Sequence, residues 1–204
     1  MMKRYSMRRL ALCALAALNI SSFVIARSDA DEAQEAWTAL AAGGHIALIR
    51  HGNAPPGFGG DPPGFRLDDC STQRNLDDEG RAQAKALGDA FRSHGVRVDR
   101  VLSSPVCRCL DTASLMSVGP VEHSMALLPD RDRANRVRLR ELKDIVSKWR
   151  GPGTLVLVTH GFTIEPLVGT IPQQAETLVL RPMPGSETAV DIVGRIQPPR
   201  LEGR

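Results

Sequence analysis

The 204-residue chain lacks a strong charge excess, an apolar run long enough for a stable membrane span, an internal repeat and more than four cysteines. Its 26 basic and 23 acidic residues leave a formal charge of +3. Even that excess is local, because residues 1 to 30 hold five of the bases and one of the acids. The remaining 21 bases and 22 acids nearly cancel, so global charge offers no case for a nucleic-acid partner. The apolar stretch Leu10 to Ala17, with a weaker continuation to Ala26, falls short of the about 20 residues a spanning helix needs.

What is present at the start is a basic segment, Met1-Met2-Lys3-Arg4 to Arg8-Arg9, followed by that apolar run. This is the layout of a signal peptide, with cleavage expected after Ala26 or Ala30. Residues 1–30 are therefore read as a leader and residues 31–204 as one domain, periplasmic or secreted. Leu12 before Cys13 is too large for a lipoprotein site. Past the leader stand Cys70, Cys107 and Cys109, an odd count that in an oxidising compartment suggests one disulfide and one spare thiol. Cys107 and Cys109 lie two apart on an expected helix and point to different sides, so Cys70 with Cys107 is the preferred bridge.

Apolar strands alternate with helices along the rest of the chain. His45 to Ile49 and Thr154 to Val158 are short continuous apolar runs suited to buried parallel strands. Further strands are expected near residues 96–102, 121–127, 177–181 and 189–196, and helices near 31–42, 77–94, 104–117 and 133–149. In the third helix Ser104 and Pro105 read as N-cap and first turn. Residues 55–64 carry four prolines and four glycines, which excludes helix and central strand and makes this loop a candidate pocket rim. The pattern predicts an α/β three-layer sandwich around a mostly parallel sheet.

Three of the strands end in polar clusters, where open α/β sheets place their ligands. They are Arg50-His51-Gly52, Ser103-Ser104-Pro105 with Arg108, and Thr159-His160-Gly161. Two arginines and two histidines would converge there. An arginine fork binds phosphoryl oxygens in pairs, and a neutral imidazole is a competent nucleophile. Any one of these residues has an ordinary structural explanation; four at three strand ends are harder to dismiss. A basic cluster, Arg131 to Arg150, reads as the solvated face of a helix, the alternative being that it helps draw an anionic substrate.

Leu48-Ile49-Arg50-His51-Gly52 resembles the signature of the histidine phosphatase (phosphoglycerate mutase-like) superfamily. Ser103-Ser104-Pro105 with Arg108 and Thr112-Ala113, and Val158-Thr159-His160-Gly161, are similar to its second and third motifs, and Arg74-Asn75-Leu76 with Glu79-Gly80-Arg81 to its first-helix entry. The resemblance spans about residues 44 to 196. It implies a phosphoglycerate mutase-like fold, phosphorylation of His51, and phosphoryl binding by Arg50, Arg108 and His160, with no metal or cofactor. The implied partner is a small-molecule or glycan phosphomonoester, such as a sugar phosphate or an envelope-associated phosphate. The alternative is a binding protein that keeps the pocket and turns over little.

One role has no clear owner. Gly161 stands where phytase-like members have Asp after the last histidine. Glu165 is the candidate proton donor, with Asp130, Asp132 and Glu141 in the segment between the second and third motifs. Asn53 and Arg74 are candidate pocket residues; the competing roles are a turn for Asn53 and a surface ion pair with Asp77 or Asp78 for Arg74.

Overall fold

The structure, a computed structural model, describes residues 28–55, 60–129 and 136–201. Its helices are α1 (Asp29–Ala42), α2 (Asp78–Ser93), α3 (Cys107–Met116), α4 (Arg136–Ser147) and α5 (Gly161–Val168). Its strands are β1 (Ile46–Arg50), β2 (Val98–Ser103), β3 (Val121–His123), β4 (Thr154–Thr159), β5 (Thr177–Pro182) and β6 (Val190–Ile196). The strands form one sheet in the order β3-β2-β4-β1-β5-β6. The first four are mutually parallel, and β5 and β6 join antiparallel. This is an α/β fold with a mostly parallel sheet between helical layers.

The continuous apolar runs are explained by burial on both faces. Along β1, Ala47 and Ile49 face one core with Val156 and Val158 of β4, and Ile46 and Leu48 face the other with Leu155 and Leu157. Trp37, Leu40, Leu87, Phe91 and Met116 from α1, α2 and α3 close the first core. Leu142, Val146, Ile164 and Leu167 from α4 and α5 close the second. Each fully buried aliphatic side chain, such as Leu48, contributes about 1.5–3 kcal/mol.

Helix starts follow local chemistry. Ser28 and Asp31 form a capping box on α1, and the Asp77 side chain accepts from Gly80 N at the start of α2. Two expected boundaries are corrected. α3 begins at Cys107 with Val106 as N-cap, not at Ser104-Pro105, because the Ser104 hydroxyl is 2.9 Å from the His160 ring. The strand expected over 121–127 stops at His123 and turns into a short 3-10 helix, Met125–Leu127, whose Leu127 carbonyl accepts from Thr159 Oγ1 at 2.6 Å. Of the basic cluster, Arg131 and Arg133 lie outside the described residues, as do residues 1–27 of the expected leader and Asp130 and Asp132.

Candidate active site

The parallel register brings the polar strand ends together. Arg50 lies beside Thr159, and Ser103 beside Val158. His51 N donates to Thr159 O at 3.0 Å and Ser104 N to Val158 O at 2.9 Å, so β1, β2 and β4 release their chains at one level. The turn after β1 requires glycine for close approach: a Cβ on Gly52 would sit 2.6 Å from Gly80 O, and one on Gly80 would sit 2.0 Å from Asn53 O. Gly52 N donates to Thr112 Oγ1 at 3.1 Å, tying this turn to α3.

His51 is buried, and its Nδ1 lies 2.8 Å from the Gly52 carbonyl. A carbonyl only accepts, so the proton sits on Nδ1 and the lone pair on Nε2. The Arg108 guanidinium sits between the two imidazoles. Its Nε donates to His51 Nε2 at 3.2 Å, its Nη2 lies 3.1 Å from His160 Nδ1, and its Nη1 donates to Asp61 Oδ1 at 2.7 Å and Arg74 O at 3.3 Å. With Arg108 donating to Nδ1, the His160 proton sits on Nε2 and points to Ser104 Oγ at 2.9 Å. The histidine ring centroids are 5.4 Å apart.

Arg50, His51, Asp61, Arg74, Arg108 and His160 line one cavity of about 80 Å³, room for a small oxyanion. Pro129, Phe162 and Ile171 add an apolar border, and Phe162 and Ile171 are exposed. Arg50 Nη1 donates to Pro172 O at 2.8 Å, and Arg74 Nη1 to Ala54 O and Pro55 O, each at 3.1 Å. The Nε donors of both arginines are buried without a hydrogen-bond partner among the described residues. Unsatisfied buried guanidinium donors beside a cavity suit it to an anion.

Burial, reinforced by the positive charge of Arg108, pushes the His51 imidazole down to about 3 and holds His160 well below its ordinary value. Both rings are neutral at physiological pH. Burial and the neighbouring Arg108 also lower Arg50 and Arg74. Burial alone would raise the Asp61 carboxyl, but the hydrogen bond and charge of Arg108 outweigh it and hold the group below the usual carboxylate range. Cys109, a free buried thiol 3.4 Å from His160 Nε2, is pushed up to about 12 by burial and stays protonated.

The structure thus brings together Arg50, His51, Arg108, His160 and Arg74. It does not bring Asn53 or Glu165 into this cavity. The Asn53 amide donates to the N-cap carboxylate of Asp77 at 2.7 Å and borders a neighbouring groove instead. Glu165 lies one turn along α5 from Gly161, about 6 Å further down the helix axis. A disulfide joins Cys70 and Cys107, linking the segment before Arg74 to the residue before Arg108. Asp61 escaped the sequence reading because the Pro/Gly loop that carries it has no periodicity; its place among eight prolines and glycines was the one available signal.

Neutral imidazoles and converging guanidiniums thus meet in one pocket at the carboxyl ends of a mostly parallel sheet, an arrangement suited to a small anion. Residues 46–127 match the model of the histidine phosphatase superfamily (branch 1). A stretch of 72 residues is 33% identical to the mitochondrial serine/threonine-protein phosphatase Pgam5 of Drosophila virilis. That stretch covers 35% of this chain and 22% of the relative, so the chain spans about a fifth of the relative's length. The fold is similar to the protein histidine phosphatase SixA complexed with tungstate (TM-score 0.55, 16% identity, 76% of this chain and 97% of that one). It is also similar to a candidate α-ribazole-5'-phosphate phosphatase from Escherichia coli (TM-score 0.56, 19% identity, 78% and 99%).

Proposed function

We propose that the chain is a phosphomonoester hydrolase that works through a phosphohistidine at His51. The observation that carries this reading is the buried His51 ring, neutral and pinned through Nδ1 to Gly52 O, with its Nε2 lone pair in a cavity walled by Arg50, Arg74 and Arg108. A phosphomonoester dianion enters and takes over the Arg108 Nε and Nη2 donors from the histidines. His51 Nε2 then forms a bond to phosphorus as the ester P–O bond breaks and the alcohol oxygen leaves with the electron pair. Water afterwards attacks the phosphohistidine, restoring the lone pair and releasing inorganic phosphate. The loose transition state carries its charge on the equatorial oxygens, so preorganised arginine donors supply most of the catalysis. His160 joins them in the tautomer that carries its proton on Nδ1, the atom beside Arg108 Nη2, with Nε2 accepting from the Ser104 hydroxyl.

Within the described residues, no carboxylic acid in the cavity is protonated for the leaving oxygen, since Asp61 is held ionised. Leaving groups of low pKa, or nitrogen-bound phosphoryl groups, are therefore the favoured chemistry. Among sugar phosphates and envelope-associated phosphates, those whose leaving oxygen is comparatively acidic, as at an anomeric carbon, meet this requirement. The leader-like first thirty residues support a location outside the cytoplasm, and the Phe162 and Ile171 border supports contact with the apolar face of a sugar ring. A pocket that binds phosphate with little turnover is the second reading, favoured by the ionised state of Asp61.

Hydrolysis of p-nitrophenyl phosphate by wild type and by His51→Ala separates the two. Radiolabelled substrate quenched in alkali should leave an acid-labile label on wild type and none on the variant. Phosphate binding without hydrolysis or label in wild type would leave the binding-protein reading standing and the enzyme reading sunk.

A further inference from the structure

We infer that Asp61 is a positioning residue that aims the Arg108 guanidinium, an assignment that rests on the phosphatase reading above. Arg108 has two usable faces. The Nε–Nη2 edge points at His51 Nε2 (3.2 Å) and His160 Nδ1 (3.1 Å), where a phosphoryl group on its way to His51 must present its oxygens. Nη1 lies on the other side and is held by Asp61 Oδ1 at 2.7 Å and Arg74 O at 3.3 Å. Asp61 Oδ1 also accepts from Arg74 N at 3.0 Å, so the carboxylate and the Arg74 peptide form one closed clamp on the rear of the fork. Both members of the ion pair are almost fully buried, with side-chain exposures of 4% and 1%. Pro62 and Pro63 follow Asp61 directly and restrict the backbone that presents it.

The clamp serves two ends. Geometrically, a planar fork held at one nitrogen has little freedom to swing its opposite edge, which keeps the oxyanion donors in place before substrate arrives. Electrostatically, three guanidiniums share the cavity and the Arg108 charge works against both Arg50 and Arg74. Asp61 offsets one of the three charges, and the excess that remains matches a phosphomonoester dianion.

This role predicts a split that a purely structural residue would not show. In Asp61→Asn the cavity gains positive charge while Arg108 loses its ionic anchor. Tungstate should bind as tightly as to wild type or more tightly, while kcat for p-nitrophenyl phosphate falls about 10- to 100-fold, the scale of a misplaced reacting group. Asp61→Glu, which keeps the charge, should recover part of the loss. In an Arg108→Ala background, Asp61→Asn should change kcat less than about threefold, because the residue acts through Arg108. Wild-type kcat in Asp61→Asn, or a parallel loss of tungstate binding and kcat, overturns the assignment. If wild type itself hydrolyses nothing, the phosphatase reading fails, and a crystal structure of Asp61→Asn still decides this one. An Arg108 edge displaced from the histidines supports it; an edge still seated on both refutes it.

Discussion

Acid should destabilise this protein through the buried His51 imidazole. His51 is held neutral, with its folded value near 3 against 6.5 when exposed. Above pH 6.5 neither state carries the proton, and the residue adds no pH dependence. As pH falls below that value the unfolded chain binds a proton that the folded chain refuses, so stability drops by about 1.4 kcal/mol per pH unit until the folded value is reached. At pH 5 the loss from His51 alone is about 2 kcal/mol, a large part of a typical 5–15 kcal/mol. His160 and the ion-paired Asp61, both depressed in the folded state, act in the same direction. The assay is urea unfolding of wild type and His51→Asn, followed by tryptophan fluorescence at about pH 7.5 and about pH 5. Wild type should lose about 2 kcal/mol more than the variant across that interval. Equal losses would mean that His51 titrates normally, and a neutral buried imidazole would have to be abandoned.

Two further outcomes follow from the same geometry. Arg108→Ala removes the group that touches both imidazoles and should lower kcat/KM for p-nitrophenyl phosphate by about 10²-fold or more, measured against a variant check of folding by circular dichroism. Cys70→Ser with Cys107→Ser opens a loop closed across 37 residues. It should cost about 4 kcal/mol in denaturant unfolding on the chain-entropy view, and a stability equal to wild type under oxidising conditions would contradict that.

Much of the architecture is legible in the residues because burial on both faces leaves no alternation to misread: β1, β4 and β5 appear as unbroken apolar runs. The ends of α3 and β3 were not legible, for a specific reason. Ser104 has every local feature of an N-cap, yet its hydroxyl is taken by a histidine 56 positions away. Leu127 sits in an apolar stretch, but its carbonyl is needed by Thr159 on another strand. The site divides in the same manner. Arg50, His51, Arg108 and His160 stand at strand ends or in a first helical turn, positions that sequence periodicity locates. Arg74 has Asp77 close by as an apparent partner, but the Asp77 carboxylate is already capping α2 and holding Asn53. Asp61 meets its partner across 47 positions from an aperiodic loop, and nothing local announces the pairing.

The parallel pairing of β1 with β4 has a consequence for how the protein acquires activity. Arg50 and Thr159 are side by side in the sheet although more than a hundred positions separate them along the polypeptide. Such distant pairings form slowly, after the cost of closing a long loop has been met. Before the two strands pair, a nascent chain holds His51 without His160 beside it. The pocket is therefore complete only in a molecule in which these two strands have paired.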